Sequence, residues 1–168
     1  MRIRLAVPED ALAVARVHVL TWQAAYRGLL PDAYLDSLRP EDRAGRYDFT
    51  HTDVQKPRTI VAEVDGAICG FASTMPARDA ERPGVGELGA LYVSPAHWGC
   101  GVGVALIEAA RAHMLEQGSR SALLWLLKGN ERGGRFYRRD GWLPDGTSKA
   151  DRVWGVDVEE YRYVRTLP

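Results

Sequence analysis

The chain has 168 residues, and a domain of about this length removes roughly 70% of its unfolded surface from water, so a substantial core is expected. Its 22 basic residues balance 22 acidic ones, which argues against nucleic acid as the main partner, because phosphate-backbone binding draws on a net basic footprint. Cys69 and Cys100 match no metal or redox spacing, and no apolar run approaches the ~18 residues of a membrane span. The expectation is therefore a metal-free cytoplasmic protein with no membrane partner and no signal peptide.

Ile3 to Ala6 reads as a short opening strand. A helix follows from Pro8, with proline in its first turn and Glu9 and Asp10 beside the positive end of the dipole. Leu12, Ala15, Val19, Trp22 and Tyr26 fall three and four apart and form its apolar stripe, and Gly28 closes it. A second helical region, about Pro31 to Tyr47, is broken at Pro40. The period then changes. Thr59 to Val64, the turn Asp65-Gly66, and Ala67 to Thr74 read as a β-hairpin. Pro76 to Gly86 is a polar loop and Glu87 to Val93 a third long strand. Beyond Pro95 a glycine-rich turn opens a helix from about Val102 to Gln117, closed by Gly118. Ser121 to Leu127 is another strand, and Glu131 to Arg139 a short helix stopped by Gly141. Weaker strand signals lie near Arg152 to Val156 and Glu160 to Thr166. This order predicts one mixed α/β domain over residues 1–168, with a single strand–helix–strand crossover at its centre.

Gly99, Gly101 and Gly103 alternate between that third strand and the helix. Glycine permits positive φ and close approach of a ligand to the backbone, and the free N–H groups of the helix start favour an anion. Phosphate is the natural guest. A Walker loop would need Gly-Lys-Ser/Thr, which is missing. A dinucleotide fingerprint would need glycine where Val104 stands, and an acidic residue at the end of the strand Leu124-Trp125-Leu126-Leu127, which has none. A nucleotide-binding oxidoreductase is disfavoured on both counts. The competing explanation is a tight strand–helix turn with no ligand. Arg132, Arg135, Arg138 and Arg139 sit close together along the chain and read equally as a phosphate site or a solvated helix face.

Trp98-Gly99-Cys100-Gly101-Val102-Gly103 resembles the pyrophosphate motif Gln/Arg-x-x-Gly-x-Gly/Ala of the GNAT acetyltransferases, with Trp98 in place of Gln or Arg. Glu87-Leu88-x-x-Leu91-Tyr92-Val93-x-Pro95 is similar to that family's central strand. Asn130-x-x-Gly133-x-x-Phe136-Tyr137-x-x-x-Gly141-Trp142 is similar to its Asn-x-x-Ala-x-x-Phe-Tyr-x-x-x-Gly-Phe, with Gly133 and Trp142 as departures. Ile3-Arg4-x-Ala6-x-Pro8-x-Asp10 looks like its first strand and helix. The resemblance implies a mixed, mostly antiparallel central sheet flanked by helices, and an acetyl-CoA-dependent N-acetyltransferase. It further implies pyrophosphate contacts from Trp98, Gly99, Cys100, Gly101, Val102, Gly103 and Val104. Main-chain contacts to the pantetheine arm are implied from Leu91, Tyr92 and Val93, and further cofactor contacts from Asn130 and Phe136.

Acetyl transfer to an amine needs a neutral amine, a placed thioester, stabilisation of the oxyanion and protonation of the departing thiolate. An alkyl amine is neutral in only about one molecule per thousand at pH 7, so a base or a water chain to one is useful. The resemblance puts Tyr137 beside the CoA sulfur as the acid; its rival reading is a packed aromatic next to Phe136. Glu87 is the candidate base, directly or through water, against a solvent-facing carboxylate at a strand end. Asn130 could also be a helix N-cap. An acyl-cysteine at Cys100 is disfavoured because its loop belongs to phosphate, and His18 and His97 read as packed or solvated.

By the same likeness, acceptor choice belongs to the first two helices and the Pro76–Gly86 loop, including Arg78, Asp79, Glu81 and Arg82. The helical spacing of Trp22 and Tyr26 favours core packing over lining a cleft. The acceptor is expected to be a small-molecule amine. Alternatives are a protein N-terminal or lysine acetyltransferase and a non-catalytic acyl-CoA-binding module. Family members often pair through edge or C-terminal strands, which makes Tyr161-Arg162-Tyr163-Val164 a candidate homodimer contact.

Overall fold

The computed structural model describes residues 1–78, 84–153 and 155–168. Seven strands form one sheet in the order β1-β2-β3-β4-β5-β7-β6: β1 Arg2–Leu5, β2 Arg58–Val64, β3 Ala67–Pro76, β4 Gly86–Val93, β5 Ser121–Leu127, β6 Leu143–Val153 and β7 Val156–Thr166. Every neighbouring pair is antiparallel except β4 and β5, which are joined through helix α4, Val102–Glu116. The mixed, mostly antiparallel architecture and its central crossover match the expected fold class.

The sheet is covered on both faces, as the period-two alternation of its strands requires. Ile60, Ala62 and Ala72 turn toward α4, while Val61 and Phe71 turn toward α1, Ala11–Ala25. Helix α4 buries Val102, Leu106, Ile107, Ala110 and Met114, a single helical face. It seats closely because Gly70 lies beneath it: a Cβ there would come 2.9 Å from Leu106 Cδ1 and 3.1 Å from Val102 Cγ1. Helix α1 buries Val14, Ala15, Val17, His18, Val19, Thr21 and Trp22, a broader face than the predicted stripe. Leu12 is an exception to that stripe and is exposed, because a 3-10 turn at Pro8–Asp10 precedes the helix and sets its rotation. The broken second region is two short helices, α2 Asp32–Ser37 and α3 Pro40–Ala44.

The C-terminal third departs most from the sequence reading. Residues near Arg152 to Val156 form the tip of a long hairpin, with Val153 opposite Val156, and not a strand of their own. Strand β6 begins at Leu143, in a largely polar stretch containing Pro144, Asp145 and Gly146. As an edge strand it needs no continuous apolar face, so it carries little hydrophobic signal. Tyr161 to Val164 lies in β7, hydrogen-bonded between β5 and β6, so that segment is not an open edge for a second copy. The predicted loop positions Asp79, Glu81 and Arg82 lie outside the described residues.

Helix α5, Glu131–Arg139, is locked to this frame by the residues that follow it. Trp142 is fully buried and its Nε1 donates to Asp140 Oδ2 at 2.9 Å, while Arg111 of α4 and Arg165 of β7 pair with the same carboxylate. Tryptophan is thus accommodated because its buried N–H has an acceptor.

Candidate active site

Strands β4 and β5 pair only at Gly86–Ala122 and Glu87–Leu123. Beyond that point Gly89 is the extra residue of a bulge, since Leu88 faces Thr74 and Ala90 faces Ser73. Bulges bend the strand that carries them, and here pairing with β5 ends at the bend. Glycine leaves room at the bend: a Cβ on Gly89 would lie 2.4 Å from Met75 Cε, so a larger residue must displace the end of that side chain. The result is a cleft of about 1190 Å³ running through the split.

Backbone parity decides which main-chain groups face the cleft. Ser94 N–H bonds the Cys69 carbonyl, and hydrogen-bonded pairs alternate along an antiparallel ladder, so Tyr92 and Ala90 turn their main chain toward β3. Leu91 and Val93 turn theirs toward the split. On the other bank, Lys128 N–H bonds Glu159 O, which leaves Trp125 and Leu127 facing the split. The expected trio is therefore narrowed. Tyr92 offers its side chain only, and the Val93 carbonyl already accepts from Thr21 Oγ1 at 3.0 Å and Trp98 Nε1 at 2.7 Å.

At one end of the split lies the glycine turn. Gly99 and Gly101 have φ of +79° and +81° with open space where a Cβ would be, so glycine serves the backbone path there. Gly103 is different: it has ordinary helical φ, and a Cβ would meet Phe136 Cε2 at 3.3 Å. It is the seat on which Phe136 packs. Among the described residues, no protein acceptor takes the N–H groups of Gly99, Gly101, Val102, Gly103 or Val104. Ala105 is the first residue of the helix to bond back, to Gly101 O at 3.1 Å. Four of these N–H groups open the helix dipole, so an anion is favoured there. The side chains of Cys100 and Val102 do not line the cleft: Cys100 is exposed, with its N–H bonded to the His97 carbonyl at 3.4 Å, and Val102 is buried against β3. Trp98 is tied to the Val93 carbonyl, with the Arg132 guanidinium 4.0 Å above its ring.

Asn130 caps α5, its Oδ1 accepting from Gly133 N–H at 2.9 Å, which is the N-cap reading, and the residue also lines the cleft. Tyr137 lines the middle of the cleft, packed edge-on between Phe136 and Trp142. Among the described residues its hydroxyl has no protein partner, and burial, followed by nearby Tyr92, raises its pKa so that it stays protonated. Glu87 is 1% exposed, which removes the solvent-facing reading. Its carboxylate accepts from the Arg78 main-chain N–H and Nε, both at 3.1 Å, and from Nη2. Nothing local in the sequence announced Arg78 as its partner.

The far half of the cleft is aromatic. His18, Trp22, Tyr47, Phe71 and Tyr92 pack ring to ring, with Tyr26 against Trp22. Trp22 is both core and cleft wall, so the two readings of it were not exclusive. Burial, then the charge of Arg43, pushes the His18 pKa down to about 3, so the ring is neutral beside Tyr47 Oη. Among the described residues, no cluster of three or more His, Cys, Asp or Glu could hold a metal, and no helix is long and apolar enough to cross a membrane.

The sheet opens between two parallel strands, with a row of unpaired amides at one end of the split and the buried Tyr137 along its wall. The Acetyltransferase (GNAT) family model matches residues 20–142, and an uncharacterised N-acetyltransferase of Archaeoglobus fulgidus is 35% identical over 82% of this chain and 89% of its own. The chain belongs to the GNAT family and is an acetyltransferase. Solved structures similar across 99% of the chain include a GCN5-related N-acetyltransferase from Rhodopseudomonas palustris (TM-score 0.76, 18% identical, 95% of that chain). Another is the PaiA N-acetyltransferase from Thermoplasma acidophilum in complex with coenzyme A (TM-score 0.69, 20% identical, 99% of that chain). At these identities the likeness shows the fold.

Proposed function

We propose that residues 1–168 act as one catalytic domain that moves an acetyl group from acetyl-CoA to the primary amine of a small molecule, with donor and acceptor bound together in the cleft. The observation that carries this reading is the set of unpaired amides at Gly99, Gly101, Val102, Gly103 and Val104, which have the geometry of a diphosphate cradle. His97 Nδ1, buried beside that turn with no partner among the described residues, adds a polar group awaiting a ligand.

The main chain of Leu91 and Trp125 and the N–H groups of Val93 and Leu127 suit the amides of the pantetheine arm, as two strand edges suit a third strand between them. When bound, acetyl-CoA supplies the acetyl group as an activated thioester. The Leu91 N–H then polarises the acyl carbonyl as charge builds on its oxygen. Tyr137, held protonated by burial, donates its proton to the departing thiolate. Glu87 receives the proton of the ammonium through water. A carboxylate has about four lone-pair positions, and Arg78 takes three of them here. The ring-lined far half supports a compact acceptor more than an extended polypeptide.

Thiol release from acetyl-CoA across a panel of small amines, N-terminal peptides and lysine peptides, with mass spectrometry to locate the acetyl group, tests the reading. Turnover confined to small amines is expected. Turnover on peptides alone would replace the acceptor, and binding of acetyl-CoA with no turnover on any acceptor would favour a sensor module.

A further inference from the structure

Arg132 is the second residue of α5, where a cation opposes the helix dipole and needs a compensating reason to sit. Among the described residues no carboxylate pairs with it, and its guanidinium instead stands over Trp98, with Cζ 4.0 Å from the ring centroid. The ring is itself fixed, with Nε1 donating to the Val93 carbonyl at 2.7 Å and its face packed on the core. A guanidinium stacked by its face keeps its in-plane N–H donors pointing outward. Trp98 directly precedes Gly99, and Arg132, Trp98, Gly99, Gly101 and Gly103 line one cleft. A preorganised, unpaired cation thus stands next to a row of unpaired amides.

We infer that Arg132, held on the Trp98 ring, is the cationic clamp of the diphosphate site, supplying from α5 a charge that the glycine turn does not carry itself. This rests on the acetyl-CoA reading above and adds a residue to it. Trp98 in this scheme is a positioning residue: it sets the plane of the guanidinium and touches no phosphate. Charge-assisted bonds from a planar fork to phosphate are roughly twice as strong as neutral ones, so the loss of one is readable in affinity.

The experiment is calorimetric titration of wild-type protein and of Arg132→Ala, Arg132→Lys and Trp98→Phe variants with CoA, dephospho-CoA and pantetheine. Arg132→Ala should bind CoA and dephospho-CoA about tenfold more weakly, which is about 1.4 kcal/mol, with pantetheine binding unchanged. Added salt should weaken wild type more than Arg132→Ala. Arg132→Lys should fall between the two, since it keeps charge without the stacked fork, and so should Trp98→Phe, which keeps a ring face but loses the Nε1 bond that fixes it. CoA binding by Arg132→Ala equal to wild type would overturn the inference. So would an equal loss on pantetheine, which marks a purely structural role, or a loss seen with CoA but not dephospho-CoA, which places the contact on the 3′-phosphate. Wild-type protein that ignores CoA would remove the cofactor reading itself.

Discussion

The three glycines of the turn do different jobs, and substituting them one at a time separates those jobs. Gly101 has φ +81° and nothing within 4 Å of where a Cβ would sit, so alanine there meets no neighbour and is penalised only by the left-handed backbone. That conformation costs an ordinary residue roughly 1–2 kcal/mol. If the chain relaxes to negative φ instead, the amides of Val102 to Val104 turn off their common target. Gly103→Ala has the opposite character. Its backbone is helical, and the new methyl would sit in ordinary contact with Val93 Cγ2 at 3.8 Å but 3.3 Å from Phe136 Cε2, so that ring must give by a few tenths of an ångström. The helix-propensity gain of about 1 kcal/mol offsets that crowding. In urea denaturation at constant slope, Gly101→Ala should lose roughly 1–2 kcal/mol and Gly103→Ala less than about 1 kcal/mol. In CoA titrations, Gly101→Ala should weaken binding by about tenfold and Gly103→Ala by about threefold or less. Equal CoA affinity in Gly101→Ala and wild type, or a larger loss in Gly103→Ala than in Gly101→Ala, would refute the division of labour.

Three further outcomes are expected. Tyr137→Phe should lower kcat by about 10²-fold while CoA affinity stays within about twofold, because the hydroxyl bonds no protein group among the described residues and the ring packing is kept; unchanged kcat in steady-state assays would remove the acid role. Glu87→Gln should lower kcat by about 10²-fold and move the acidic limb of the pH–rate profile, with little loss of stability, since Arg78 is two-thirds exposed and can be hydrated. An unshifted limb with normal turnover would leave Glu87 as an anchor for Arg78 and nothing more. Stability should fall on acidification in two stages. His18 has a folded pKa of about 3, below its ordinary value, so its contribution is whole above about pH 6.5 and declines as the unfolded chain alone takes up a proton. Asp10 is held below the usual carboxylate range by its hydrogen bond from Arg4 and then by the Val7 N–H, so its contribution persists to lower pH and is lost as pH falls through that depressed value. Asp10→Asn should remove the later stage at a cost of about 2 kcal/mol at neutral pH. Denaturation midpoints from pH 8 to 3 check both, and a flat profile would contradict them.

The glycine turn, the crossover and the strand carrying Glu87 were legible because each depends on local rules: positive φ at fixed spacing, helix opening after a strand, and period-two alternation. The resemblance carried Tyr137 to a place where the hydroxyl lines the cleft. What was not legible depends on partners distant in sequence. Arg78 meets Glu87 only because β3 runs on to Pro76 beside Gly86. The Val93 carbonyl is lost to ligands because α1 brings Thr21 over it and the Trp98 ring folds back to it. Strand β6 is mostly polar and is recruited by β7, so little within it apart from its Arg152–Val153 end signals a strand, and the same recruitment closes β7 as a docking edge. Trp98 looked like a weakened motif position; the stacking of Arg132 on its ring is visible only once α5 is placed against the turn.

Calorimetric titration of the purified chain with coenzyme A reaches the diphosphate cradle most directly. Saturable one-to-one binding that weakens as salt is added is the expected result. Absence of binding at millimolar coenzyme A would contradict the assignment of those unpaired amides to a diphosphate.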